Sequence, residues 1–229
     1  MFLGADLANQ NRVVVFVDGF NLYHAIDELN WNPQTKQLTN TKHHLKWLDI
    51  CSLSKALIHP TKDILVHAYY FSAYAGWISQ DAQSRHRNYV AALRNTGITP
   101  IMGKFKMKPR KRPSCKHTWP GHEEKESDVN IALQLLQMAH ENTFDKAIIF
   151  SADTDLAPAI RMVRNKYPLK EVYIAIPERR LKNATSLVNA GNGKLRVTES
   201  HIERNLFPEH IHCGDGKVIN RPAKYTPPK

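Results

Sequence analysis

The sequence predicts a three-layer α/β/α fold around a mostly parallel central sheet, and three observations carry that expectation. Short β-branched and aromatic runs alternate with amphipathic helical stretches along most of the chain. The runs are apolar throughout rather than alternating with polar residues, the pattern of strands covered on both faces. Several of them break off into polar turn residues, which places chemistry-bearing side chains at strand ends.

Taken in order, residues 1–11 form a flexible lead. Residues 13–17 (VVVFV) form the first strand, which ends in Asp18-Gly19-Phe20-Asn21, and 22–29 a short helix. Residues 30–44 are a polar loop and 45–58 carry a helical period. A second strand spans 64–71, and an amphipathic helix over 80–95 stops at Thr96-Gly97. The third strand covers 98–102.

Residues 103–124 form a basic insertion. Lys104, Lys106 and Lys108 alternate with apolar residues before the run Arg110-Lys111-Arg112. The first half suits a strand extension with its lysines on one face; 114–124, rich in His, Pro and Gly, suits a loop. Ser127 is placed to cap a helix over 128–141, with Ile131, Leu135, Leu136 and Met138 as the buried stripe. The fourth strand is 146–150, and the helix after it, 156–165, accepts Pro158 in its first turn. A fifth strand (171–176), a helix (179–189), a short edge strand (194–197) and a last helix (199–206) complete a single domain over 12–212. Residues 213–229, rich in Gly, Pro and Lys, are expected to be a disordered tail.

With 229 residues and 42% hydrophobic content, one α/β domain can bury a core that needs no staples. No apolar run approaches the roughly 18 residues of a membrane span, and the first residues lack a basic-then-apolar leader. Three widely spaced cysteines, Cys51, Cys115 and Cys213, argue against a disulfide framework and fit a reducing cytoplasm. A formal charge of +11 favours a polyanionic partner, nucleic acid first among them.

The fourth strand runs into Ser151-Ala152-Asp153-Thr154-Asp155, two carboxylates in adjacent turn positions. At an effective dielectric near 20, two such charges about 4 Å apart repel by about 4 kcal/mol. A cation or a shared proton is the usual remedy. Asp18 ends the first strand, so neighbouring first and fourth strands would bring three carboxylates to one sheet edge, where α/β folds bind ligands. Asp128 opens the helix leading into the fourth strand and reaches the same edge. Taken singly, these residues have plainer roles as a turn residue, a helix-start charge and an N-cap; together they favour a hard-oxygen site for Mg²⁺ or Mn²⁺. A zinc site at Cys115, His117 and His122 would need Cys51 or Cys213 to complete it, and free cysteine among loop histidines is the simpler reading.

Three motifs then carry a family resemblance. Val17-Asp18-Gly19-Phe20-Asn21-Leu22 resembles the opening motif of NYN domains, the LabA-like branch of the PIN-like nuclease superfamily. The stretch from Glu124 through Lys125, Ser127 and Asp128 to Ala132 is similar to its second motif, and Ser151-Ala152-Asp153-Thr154-Asp155-Leu156-Ala157-Pro158 to its third. Ala152, Thr154 and Leu156 stand where Gly, Ser and Phe are usual; the acidic positions are kept. The resemblance implies a PIN-like, Rossmann-like fold and a Mg²⁺- or Mn²⁺-dependent nuclease acting on single-stranded or structured RNA. By position it implies Asp18, Asp128, Asp153 and Asp155 as metal-binding carboxylates, with Asn21 and Ser151 as polar companions. Such a centre activates water and stabilises the leaving oxygen.

For substrate, Lys104, Lys106, Lys108, Arg110, Lys111, Arg112 and Lys125 offer a phosphate track, and Trp119 a stacking face. PIN-like relatives often pair, which makes a homodimer the expected assembly; an antitoxin-like regulator leaves no trace in the sequence. The alternatives are a DNA nuclease, and an RNA-binding regulator that holds metal weakly and cuts nothing. A phosphatase with an aspartate nucleophile is disfavoured, because that chemistry wants Asp-x-Asp and position 20 is Phe.

Overall fold

The computed structural model describes residues 10–32, 34–39, 41–111 and 118–228. Its elements follow the expected alternation: β1 (Asn11–Asp18), α1 (Gly19–Asp27), a small ribbon of β2 (Trp31–Asn32) and β3 (Gln37–Leu38), then α2 (Ile50–Leu57). After these come β4 (Asp63–Ala73), α3 (Gln80–Asn95), β5 (Thr99–Lys111), β6 (Thr118–Lys125) and α4 (Ser127–His140). The remainder is β7 (Lys146–Phe150), α5 (Ala157–Lys166), β8 (Glu171–Pro177), α6 (Thr185–Ala190), β9 (Gly193–Val197), α7 (Glu199–Glu203), β10 (His210–His212) and β11 (Val218–Asn220).

The main sheet has seven strands in the order β6-β5-β4-β1-β7-β8-β9. All its pairs are parallel except β5 with β6. The chain builds outward from β1 to one side, then returns and builds outward on the other. The strand order therefore reverses between β1 and β7, the two strands that end in the acidic motifs. Strand β1 shows why its sequence is uniformly apolar. Val13, Val15 and Val17 face one core with Leu22 and Ile26 of α1, Leu53 of α2 and Leu93 of α3. Val14 and Phe16 face the other with Ile131 and Leu135 of α4, Ile160 of α5 and Leu187 of α6. Both faces of the sheet are thus covered by helices, the three-layer arrangement expected.

Several local expectations change. The helix expected over 179–189 divides into a 3₁₀ segment, Glu178–Asn183, and α6, and the loop expected over 30–44 holds the β2–β3 ribbon. The helical period over 45–58 is split into a 3₁₀ turn, His43–Lys46, and α2, because the Asp49 side chain caps α2 by accepting from Cys51 and Ser52 amides at 2.9 and 3.1 Å. Ser127 does not cap α4: Glu126, at φ 83°, turns the chain in, and the Ser127 hydroxyl donates to Glu124. The expected loop over 114–124 gives way, over 118–124, to β6, paired antiparallel with the far half of β5; Pro109 faces Pro120 there and Lys106 faces Glu123. Residues 112–117, with Arg112, Cys115 and His117, lie outside the described residues. Finally, the expected disordered tail is ordered from Cys213 through Thr226. The β10–β11 ribbon turns at Gly216, where φ is +80°, and Tyr225 is packed into the core beside α1 and α3.

The Asp18-Gly19 step has a packing cause. A Cβ at position 19 would sit 2.5 Å from the ring of Tyr70, which is itself only 4% exposed and cannot swing away. Gly19→Ala is expected to lower unfolding free energy by about 1–3 kcal/mol through overpacking, read as a shift in denaturant midpoint. An unchanged midpoint would contradict the close approach.

Candidate acidic cleft

At the strand-reversal point the described residues enclose a cleft of about 590 Å³, lined by Asp18, Asn21, Glu124, Asp128, Asp153, Asp155 and Arg180 among others. Each carboxylate arrives on a different support. Asp18 is the last residue of β1 and the N-cap of α1; it is 5% exposed, and its two oxygens accept from the Asn21 amide and the Ser151 hydroxyl, both at 2.9 Å. Asp153 follows β7 and caps a 3₁₀ turn, accepting from the Asp155 amide at 2.9 Å, while its own amide donates to Ser151 Oγ at 3.0 Å. Asp128 stands in the first turn of α4, half-buried, and Asp155 is exposed. Ser151, 1% exposed, holds Asp18 and the Asp153 backbone together.

Asn21 is a clamp and adds no charge. Its side-chain carbonyl accepts from the Ala152 amide at 3.2 Å and from Arg180 at 2.9 Å, tying α1 to the turn after β7 and to the segment after β8. Arg180 also pairs with Glu28 at 2.6 Å. The sequence reading missed Arg180 and Glu124. Glu124 opens a motif in which Lys125, Ser127 and Asp128 drew notice and it did not. Arg180 carries no local signal, though it follows the strand beside β7 and so belongs to the same sheet edge.

The electrostatics are those of crowded like charge. Burial, with Glu124 and Asp153 adding to it, carries the Asp18 carboxyl up to about 6, against the hydrogen bonds from Asn21 and Ser151. Burial, then Asp153, Asp18 and Asp155, carry Asp128 up to about 6 as well. Glu124 is raised by burial and by Asp128. Among the described residues, none of Asp18, Asp128, Asp153 and Asp155 has a Lys, Arg or His within ion-pairing distance. Nor do any three Asp, Glu, His or Cys side chains stand as a ready coordination shell. Asp18 has each oxygen on one protein donor and Asp153 has one oxygen so engaged, which leaves acceptor positions on both carboxylates. In donor chemistry the set fits a hard cation.

The basic hairpin flanks this cleft. Lys104, Lys106 and Lys108 share one face of β5, and Lys125 sits opposite Lys104 and lines the cleft. Lys104 pairs with Glu126, while Lys108 and Lys125 share Glu123 at 3.3 and 3.1 Å. Such exposed pairs are weak and screened by solvent, so they do not lock the lysines in place. Trp119 lies opposite Arg110 in register and is 39% exposed. His122 stacks on Trp77, and Cys51 and Cys213 are free thiols; Cys115 and His117 lie outside the described residues. Among the described residues no helix is long and apolar enough to cross a membrane.

Fold and site together define a PIN-like α/β protein with an acidic cleft at its strand-reversal point. Residues 12–196 match the NYN domain family, and the chain belongs to that family, which sits within a nuclease-like superfamily. Over 239 aligned residues the chain is 30% identical to 6-hydroxy-3-succinoylpyridine 3-monooxygenase HspA of Pseudomonas putida (strain DSM 28022 / S16), an alignment spanning 89% of this chain and 68% of that protein. In solved structures, the chain is similar in fold to VPA0982 of Vibrio parahaemolyticus RIMD 2210633, a protein of unknown function. The TM-score is 0.53 at 15% identity, over 83% of this chain and 95% of that one.

A raised carboxyl pKa means that ionisation opposes folding, so stability falls as pH rises from 3.8 toward 6 and stays lower above it. Asp128→Asn removes that opposition. In EDTA the variant is expected to melt above the parent protein at pH 8, with the gap closing toward pH 4. A gap independent of pH would contradict the like-charge account.

Proposed function

We propose that the chain is a metal-dependent ribonuclease of the LabA-like branch, acting on RNA phosphodiester bonds at the acidic cleft. The observation that carries this reading is the convergence of Asp18, Asp128 and Asp153 where the strand order reverses, buried or half-buried and without a cationic partner among the described residues. Asp18, Asp128, Asp153 and Asp155 would hold Mg²⁺ or Mn²⁺. When bound, such an ion supplies Lewis acidity toward phosphate and an activated water.

The chain's own residues do the positioning. Ser151 and the Asn21 amide fix the direction of Asp18, and Asp153 is held by the turn it caps. Asn21, braced by Arg180, keeps α1 and the turn after β7 at a set separation. Lys125, at the rim, and Lys104, Lys106, Lys108, Arg110 and Lys111 along the hairpin would attract the backbone of the RNA, together with Arg112 next in sequence, and with Trp119 as a stacking face. On this reading the protein works in the cytoplasm, as a homodimer.

A specific observation favours a second reading: the pseudomonad relative is named as a monooxygenase of a pyridine. Oxygen uptake with 6-hydroxy-3-succinoylpyridine and a reduced nicotinamide donor would support it.

Asp153→Asn is expected to abolish cleavage of labelled RNA in Mn²⁺ or Mg²⁺ while melting as a folded protein, and EDTA is expected to stop the parent enzyme. Metal-independent cutting, or an active variant, would defeat the assignment. Charge reversal at Arg110, Lys111 and Arg112 should flatten the slope of log affinity against log salt for single-stranded RNA; an unchanged slope would remove the hairpin from the binding surface.

A further inference from the structure

Beside the acidic cleft lies a second cavity of about 370 Å³, within the roughly 300–1,000 Å³ of small-molecule sites. Phe20 and His24 line both spaces. The walls are aromatic. Trp77 and His122 stack with centroids 3.6 Å apart and planes within 4°. Phe105 meets Trp77 edge-on at 4.6 Å, and Phe20 stands edge-on to His24 at 4.4 Å. Polar groups are placed along the same lining: the Ser72 hydroxyl lies 3.4 Å from His86 Nε2, with Tyr70 alongside. These residues come from α1, from β4 and the loop after it, from α3 and from the β5–β6 hairpin, so the cavity exists only in the assembled fold.

Burying the core does not account for this arrangement. Phe20 and Trp77 each keep 45% of their surface in solvent, and they adjoin one another through Phe105 around a cavity rather than being scattered. Contiguous exposed apolar surface of that kind marks a binding site. Ring faces and edges presented together match a flat π-system better than an aliphatic chain. The polar groups in the lining match ring nitrogens or exocyclic oxygens.

We propose that this cavity binds a planar heteroaromatic ring, seated next to the acidic cleft. If the chain acts on RNA, the ring is the base adjoining the phosphate that a metal at the carboxylates would engage, and that assignment rests on the nuclease reading. A free small heteroaromatic compound is the other source of the same chemistry, and it needs no nuclease activity.

The test uses the full chain in EDTA, so that binding is measured without cleavage. Each base of an eight-residue RNA is replaced in turn by an abasic unit, and adenosine and 3-hydroxypyridine are titrated separately. Ala82→Phe fills the cavity from the first turn of α3, and Trp77→Ala removes a wall; either serves if the other fails to fold. In the parent protein, loss of one particular base should weaken RNA binding about ten- to hundredfold, and the filled variant should show no such position. A flat abasic scan with 3-hydroxypyridine binding lost in the filled variant also supports the ring site and assigns it to a small molecule. A flat scan together with no response of either free compound to Ala82→Phe would overturn the proposal. Failure of the nuclease reading shows elsewhere, as absence of Mn²⁺-dependent cutting, and leaves these binding measurements standing.

Discussion

Like charge held together, with no ion-pairing cation beside it among the described residues, is the constraint around which this molecule is arranged. The two ends of its parallel strands make the point by contrast. At the N-terminal end buried Asp63 and partly exposed Asp145 each have a cation: Lys146 donates to both oxygens of Asp63 at 2.8 Å, and Arg12 pairs with Asp145 at 2.8 Å. Burial pushes Asp63 up, yet the Lys146 and Asn11 hydrogen bonds leave it below the usual carboxylate range, and Arg12 holds Asp145 at about 2. At the C-terminal end Asp18 and Asp128 go the other way, to about 6. One edge stabilises the fold by pairing its charges; the other holds unpaired charge that opposes folding. Strain of that kind, set where an α/β sheet binds ligands, is the mark of a site.

The Asp18-Gly19-Phe20-Asn21 segment shows how closely fold and site share residues. Asp18 caps α1 and faces the cleft. Gly19 lets the helix start against Tyr70, Phe20 divides the acidic cleft from the aromatic cavity, and Asn21 clamps the turn after β7. Four consecutive positions thus carry four separate constraints. A motif this short can therefore be informative beyond its length.

Legibility in the sequence followed the periodicity. The strand over Lys146–Phe150 and the helix over Gln80–Asn95 have the bounds their patterns suggest, because apolar runs and amphipathic stripes are set by burial. What stayed hidden depends on long-range pairing. Strand β6 has a His-, Pro- and Gly-rich sequence and becomes a strand only by bonding to β5. The tail is polar and proline-rich, yet Tyr225 is buried, Ile219 packs against the core and β11 pairs with β10. At the site, strand-end aspartates could be read from their neighbours, whereas Glu124 and Arg180 enter through tertiary placement. So did the aromatic cavity, whose walls come from widely separated segments. The local chain also could not show that the Asp18 and Asp153 oxygens are engaged by protein donors.

Calorimetric titration of Mn²⁺ into the full chain at pH 5 and pH 7.5 tests the central claim most directly, because ion binding must displace protons held by carboxyls raised to about 6. The account predicts tighter binding at pH 7.5, proton release near pH 6, and loss of both in a chain carrying Asp18→Asn with Asp153→Asn. Absence of Mn²⁺ binding at either pH, or binding that survives the double substitution, would contradict it.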